Sequence, residues 1–328
     1  MTDMPVVFCY SGQGSQFYRM GLPLFEEEPV FRRSMLEMDE HVKARLGVSV
    51  VDALYRHAPP ATASGSFTQT LVTHPAIFMV QRAMTELLAA KGVRPDAVLG
   101  MSLGEFAAAA AAGALSVEHA LDAVLLQAEL LEDGCPEGGM MAVLGAPRLL
   151  ETLPELAGSV TLVSVNAPEH FVLAGDRPTL ERLRARLREL RVPAQLLPVS
   201  RAFHSAAIDG IAARFAAAAA ALSAAAAPRV PLLSCAEGGA AAAFAPGPHL
   251  WRAVREPIRL RETVQAQAAQ QRCLFVDLGP SGTVAALLRL MLAPGCGSRS
   301  QLTMDMLGRD RKHVDQLLQT MIHEGEKK

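Results

Sequence analysis

Two runs of residues have the types and spacing for nucleophilic chemistry. Gly100-Met101-Ser102-Leu103-Gly104 has the form G-x-S-x-G. It follows the β-prone Asp96-Ala97-Val98-Leu99 and precedes the alanine-rich Phe106 to Ala112, a helix by propensity. A strand that turns sharply into a helix lifts a serine to its apex, and small flanking residues permit that strained turn and a close substrate. The helix start then offers backbone N–H groups to a developing oxyanion. An ordinary strand–helix turn with a serine near the cap has the same local pattern, so the serine needs a base to be read as a nucleophile.

There are nine histidines. His41, His57, His119, His313 and His323 lie among polar residues in predicted helices or loops, where a surface position is the default. His204 lies in Val199-Ser200-Arg201-Ala202-Phe203-His204-Ser205, directly after a predicted strand. Pattern alone leaves open a base or a packed histidine there.

The elements that must position these residues are readable in outline. Val6 to Tyr10 is a buried strand running into the glycine-rich Ser11-Gly12-Gln13-Gly14-Ser15-Gln16. From Gly138 to Ser200 the rhythm changes to a predicted strand at 140–144, a helix at 147–157, two strands around the turn Asn166-Ala167-Pro168, a helix from Pro178 to Leu190 and a strand from Ala194 to Val199. That βαββαβ order is ferredoxin-like. Strand–helix alternation resumes at Leu274 to Asp277 and the helix after Gly279-Pro280-Ser281-Gly282, so the unit reads as an insertion in a larger α/β body. The expected division is a discontinuous large domain over 1–137 and 200–310, a small domain over 138–199, and a C-terminal helix and tail over 311–328. Ala212 to Ala227 reads as a surface helix stopped by Pro228, Gly238 to Pro248 as a loop, and Glu324 to Lys328 as frayed.

Composition bounds the rest. The 328 residues allow about two domains, and half of them are apolar, enough for a large core. A net charge of −2 draws the chain toward neither nucleic acid nor an anionic membrane. No apolar run reaches the ~18 residues of a membrane span, and the first residues carry no secretory pattern. Five cysteines without close pairs disfavour a disulfide framework or zinc knuckle and fit a reducing cytoplasm. No His/Cys/carboxylate cluster has metal-ligand spacing, and no cofactor is implied.

Gly12 to Gln16, Gly100 to Glu105, the strands around Asn166-Ala167-Pro168, Ala202-Phe203-His204 and Asp277-Leu278-Gly279-Pro280 occur in an order and at spacings that resemble the malonyl-CoA:acyl-carrier-protein transacylases and the acyltransferase domains of polyketide synthases. The resemblance covers about residues 5 to 310. It implies an α/β-hydrolase-like large domain with an inserted ferredoxin-like small domain and a site in the cleft between them. It implies Ser102 as nucleophile through an acyl-enzyme ester and His204 as base and then acid. It implies the backbone N–H groups of Gln13 and Leu103 as an oxyanion hole. It places a main-chain carbonyl from Trp251 to Arg259 on the histidine, without fixing the residue, and puts Asn166 near the cleft.

Three positions depart from the family. Where malonyl-loading members carry an arginine, counting back from Cys135-Pro136-Glu137-Gly138 places Gln127. Met101 stands for the histidine of G-H-S-x-G, and His74 for the glutamine of Thr-Gln-Pro-Ala. With Phe203 beside the histidine, these point to a pocket for uncharged acyl groups, unless another arginine substitutes; Arg201 is the nearest in sequence. Together the changes resemble the acyltransferase-like acyl hydrolases found beside trans-acyltransferase polyketide synthases, which clear stalled acyl chains from carrier proteins in proofreading. The implied partners are an acyl carrier protein and the acyl thioester on its phosphopantetheine. The alternative is a transferase loading an uncharged acyl group such as acetyl, or malonyl, onto a carrier. The basic run Arg182 to Arg188 on a predicted helix is the expected docking surface for an acidic carrier, and reads equally as a solvated helix face.

Overall fold

The computed structural model describes residues 4–57, 67–153, 158–220, 226–241 and 243–325. A six-stranded sheet has the order β10-β9-β1-β2-β7-β8. Its strands are β1 (Val6–Tyr10), β2 (Ala97–Gly100), β7 (Leu232–Ser234), β8 (Gly239–Ala240), β9 (Leu274–Asp277) and β10 (Arg299–Leu302). All neighbours pair in parallel except β7 with β8. Helices cover both faces, so β1 reads as a continuous apolar run and every one of its residues is buried. One face packs against α2 (Pro29–Leu46), α3 (Thr70–Ala90) and α5 (Val117–Gly134) through residues such as Phe31, Ile77 and Val124. The other packs against α9 (Leu260–Gln270) and α10 (Thr283–Met291) through Leu260, Val264 and Leu288.

Register places Tyr10 beside Gly100 and Cys9 beside Asp277. The loops leaving β1, β2 and β9 therefore emerge together at the carboxyl edge of the sheet, where open α/β sheets bind ligands. Asp277 closes the last of these loops: its carboxylate accepts from the N–H groups of Gly279 and Ala285, both at 2.8 Å.

The second sheet, β4-β5-β3-β6, is antiparallel. It holds β3 (Gly139–Val143), β4 (Val160–Ala167), β5 (His170–Gly175) and β6 (Ala194–Leu196). One helix, α6 (Arg177–Glu189), is capped by the Asp176 carboxylate and lays Leu180, Leu183 and Leu187 on it. This is the small ferredoxin-like subdomain, and the large α/β domain surrounds its two ends in sequence.

Several boundaries differ from the sequence expectation. Of the helix expected over 147–157, Pro147–Thr152 form a 3₁₀ turn; Leu153 precedes a proline, which disfavours helical backbone, and 154–157 lie outside the described residues. Strand β6 ends at Leu196 because Pro198 has no N–H to give the ladder. Asn166 is a strand residue, and the turn is Pro168-Glu169. The stretch 238–248 is not all loop: β8 pairs with β7, and α8 (Pro246–Arg255) begins on a proline, which is tolerated at the first helical position. Helix α7 is described over Ala212–Ala220, with Phe215 and Ala219 buried; 221–225 lie outside the described residues. The last helix, α11 (Asp310–Gly325), sinks Val314 and Leu317 into the main core, and 326–328 lie outside the description. The remaining described α-helices are α1 (Leu22–Glu27) and α4 (Gly104–Ala111), with a short π-helix at Asp52–Arg56 and a 3₁₀ helix at Ala206–Ile211. Among the described residues no helix is long and apolar enough to cross a membrane.

Candidate active site

Ser102 stands between β2 and α4 with φ of 56°, a left-handed conformation that a non-glycine residue adopts only under constraint. The flanking glycines make that turn possible. A Cβ on Gly100 would lie 2.5 Å from the Glu105 Cα, and one on Gly104 would collide with the Tyr10 carbonyl. The glycine-rich loop after β1 lies against the same turn: a Cβ on Gly12 would be 2.8 Å from the Met101 carbonyl oxygen and 2.9 Å from the Ser102 Cβ. Gln13 and Leu103 are thereby brought to the two sides of Ser102. Among the described residues neither backbone N–H meets an acceptor.

His204 reaches Ser102 from the chain that returns from the small subdomain. Its Nε2 lies 2.8 Å from Ser102 Oγ, and its Nδ1 lies 2.7 Å from the Glu256 carbonyl oxygen. A carbonyl only accepts, so Nδ1 carries the proton and Nε2 presents its lone pair to the hydroxyl. The ring is buried, which pushes its pKa down to about 4; the Glu256 carbonyl opposes this and nearby Arg255 adds to it. Glu256 is the residue that the family resemblance left open within Trp251 to Arg259. No side-chain pattern could have marked it, because any residue supplies a carbonyl.

Helix α3 approaches this pair: Gln13 Nε2 donates to Thr73 Oγ1 at 2.8 Å. Thr70, at the start of α3, hydrogen-bonds Glu132, at the end of α5, so the two helices run antiparallel. His74 lies one turn into α3, and Gln127 lies on α5, five residues before Glu132. Both are buried, with 1% of their surface exposed. Neither ring nitrogen of His74 has a hydrogen-bond partner, and neither does Oε1 of Gln127. The His74 ring centroid lies 5.7 Å from that of Phe203. Arg201 does not offer a free cation. Its Nε bonds the Leu131 carbonyl at 3.1 Å, Nη1 the Ser200 carbonyl at 3.1 Å, and Nη2 the Glu132 carboxylate at 2.6 Å.

Burial without a partner also pushes the His74 pKa down, to about 3. This has a consequence for stability. Below pH 6.5 the unfolded chain takes a proton on this ring that the folded chain refuses, so stability is lost as pH falls. From pH 6.5 to 5 the loss is about 2 kcal/mol per ring. His74→Gln is expected to lose about 2 kcal/mol less than the parent over that range. Urea unfolding at the two pH values checks this, and equal losses in both proteins would contradict it.

Between the two sheets lies a cavity of about 390 Å³. Gln13 and Met101 line it from the large domain, and Met140, Asn166, His170 and Leu197 from the small one. Asn166 is held there: its Oδ1 accepts from Ser164 Oγ at 2.6 Å, and its Nδ2 lies 3.1 Å from Nδ1 of His170. His170 was not singled out from the sequence. The structure thus brings Ser102, His204, Gln13 and Leu103 into one cluster, sets the His74 ring against Phe203 beside it, and places Met101 and Asn166 on the cleft, while Gln127 is buried on α5. Among the described residues no group of three or more His, Cys, Asp or Glu side chains is placed to hold a metal ion.

Comparison with known proteins follows the same outline. Residues 7–321 match the family model described as "Acyl transferase domain". The chain is 40% identical over 318 residues to the polyketide biosynthesis acyltransferase homolog BaeD of Bacillus velezensis, covering 96% of each chain. It is 42% identical over 291 residues to the homolog PksD of Bacillus subtilis, covering 89% of this chain and 88% of that one. Among solved structures, the acyltransferase domain from the second module of the salinomycin polyketide synthase superposes with a TM-score of 0.81 at 30% identity, over 96% of this chain and 72% of that one.

Proposed function

The chain belongs to the acyl transferase family, and on that premise we propose that it is an acyl hydrolase. It removes stalled, uncharged acyl groups from acyl carrier proteins of a polyketide synthase. Ser102 Oγ attacks the thioester carbonyl while His204 Nε2 takes its proton. The N–H groups of Gln13 and Leu103 face the oxyanion. The carrier's phosphopantetheine thiolate leaves with the proton from His204, and Ser102 is left as an ester. Water then attacks the ester, gives its proton to His204, and the free acid departs as Ser102 Oγ is reprotonated. No metal or organic cofactor enters these steps.

The observation that carries the reading is the state of two residues, Gln127 and Arg201. Gln127 is buried where malonyl-loading relatives hold an arginine, and Arg201 is already neutralised by Glu132. A buried carboxylate without a cationic partner is strongly disfavoured. Acetyl-carrier protein is therefore expected to be cleared faster than malonyl-carrier protein, with free acid rather than a second acylated carrier as product. An intact-mass time course with both carriers and an excess of free holo-carrier tests this. Acetyl transferred to the second carrier would favour the alternative, a transferase for uncharged acyl groups.

The low pKa of His204 keeps the base neutral far below neutrality. The acid limb of Ser102 acylation is expected near pH 4, well under the ~6.5 of a free imidazole. Labelling by a fluorophosphonate across pH checks it, and a limb at 6.5 would contradict it.

Carrier docking is proposed on α6. Arg184 and Arg186 pair with Glu181 and Glu189, and Arg184, Arg188 and Arg191 border a shallow groove beside Ala194. Arg188→Glu is expected to raise KM for carrier-bound acetyl and leave that for acetyl-CoA unchanged. Unchanged KM for both would end the docking idea.

A further inference from the structure

The Glu256 carbonyl must be held in place for His204 to point its lone pair at Ser102, and a single buried carboxylate holds both flanks of Glu256. That carboxylate is Glu105, with no exposed surface, carried by α4 one turn after Ser102. Its Oε2 accepts from Nε2 of His249 at 2.9 Å. Its Oε1 accepts from Ser234 Oγ at 2.7 Å and from the Cys235 N–H at 2.9 Å. His249 is also buried, on α8, two helical turns before Glu256. Cys235 in turn accepts, through its carbonyl, the Arg259 N–H at 2.8 Å, just past Glu256. The end of α8 bonds His204 twice: the Val254 carbonyl takes its backbone N–H at 3.1 Å, and the Glu256 carbonyl its Nδ1–H.

We propose that Glu105 and His249 are positioning residues, a buried bridge that locks α8 onto the nucleophile's own helix and so sets His204 against Ser102. The bridge links the two halves of the dyad through the protein interior. Other charged groups around His249 are Glu237, whose carboxylate lies 3.7 Å from its Nδ1, and Arg252, paired to Glu237. Neither joins α8 to the nucleophile helix, so neither substitutes for the bridge. The inference rests on Ser102 and His204 being the reacting pair.

The test uses the full chain with p-nitrophenyl acetate and a fluorophosphonate as probes. His249→Phe keeps a ring against Phe244, 4.9 Å away in the parent, but removes the donor. Its kcat is expected to fall about 10- to 100-fold with KM little changed, because a displacement of the base by about 1 Å is enough for such a loss. The downfield Nδ1–H proton resonance of His204, assigned by its disappearance in His204→Ala, is expected to move upfield as the bond to Glu256 loosens. His249→Gln, which retains a side-chain N–H donor, is expected to recover most of the rate. Ser234→Ala gives a second reading, with a smaller drop in kcat, should His249→Phe fail to fold. An unchanged kcat and an unmoved resonance in folded variants, with a lower melting temperature alone, would overturn the bridge's role. A parent protein that the fluorophosphonate does not label would instead overturn the reading of Ser102, and the two failures are told apart by that control.

Discussion

Ser102→Ala is expected to leave the enzyme without a detectable acyl adduct and to lower turnover of acetyl-carrier protein by about 10⁴-fold or more. His204→Ala is expected to fall nearly as far, and the double variant no further than the serine variant. The reason is geometric. The 2.8 Å contact between Ser102 Oγ and His204 Nε2 makes one nucleophile out of two side chains, so removing either removes the unit. The fold should survive all three changes. Ser102 is half-buried, and its left-handed backbone sits in a turn that Gly100 and Gly104 make possible against Glu105 and Tyr10 rather than one its hydroxyl holds. Intact mass after incubation with acetyl-carrier protein, alongside steady-state rates, checks the set. An acyl adduct on Ser102→Ala would place the nucleophile elsewhere.

Gln127→Arg is expected to move selectivity from acetyl toward malonyl. Truncating one partner of a buried hydrogen-bonded charge pair costs roughly 2–5 kcal/mol, and restoring a cation should return a similar amount. At about 1.4 kcal/mol per decade that is on the order of 30-fold to several-thousand-fold in the ratio of kcat/KM for malonyl over acetyl carrier. The position is suited to the test. Gln127 is buried and its Oε1 accepts no hydrogen bond, so the substitution breaks none at that atom. Glu132 is one turn along α5 but is occupied by Arg201 and Thr70. An unchanged ratio in a folded variant would show that the pocket's charge is not what rejects malonyl.

Legibility in the sequence followed the physical nature of each feature. The turn at Ser102 could be read because it demands glycine at fixed positions, and the strand at Val6–Tyr10 because a parallel central strand is apolar on both faces. The small subdomain could be read as a sequence of elements, yet the described part of its first helix, Pro147–Thr152, is a 3₁₀ turn, since Leu153 precedes a proline and leaves the helical region. Asn166 was placed in a turn because Asn-Ala-Pro has turn chemistry; the pairing of Ala167 with His170 shows the strand continuing through it. Arg201 illustrates a different limit. Its proximity to His204 in sequence pointed toward the pocket, and only the position of Glu132 on α5 reveals that its charge is spent. Glu256 and the Glu105–His249 bridge were invisible for the same reason. They act through a backbone atom and a contact between distant segments, and neither leaves a local pattern.

The central claim is that water, rather than a second thiol, receives the acyl group. It is tested most directly by following a preformed acyl-enzyme. The enzyme is acetylated on Ser102 by brief exposure to acetyl-carrier protein, separated from it, and split into buffer alone and buffer with excess holo-carrier. Intact mass then follows both proteins with time. The account predicts the same rate of deacylation in both, with acetate released and the carrier left unacylated. An acetyl-enzyme that persists in buffer but empties quickly onto the carrier would contradict it and make the protein a transferase.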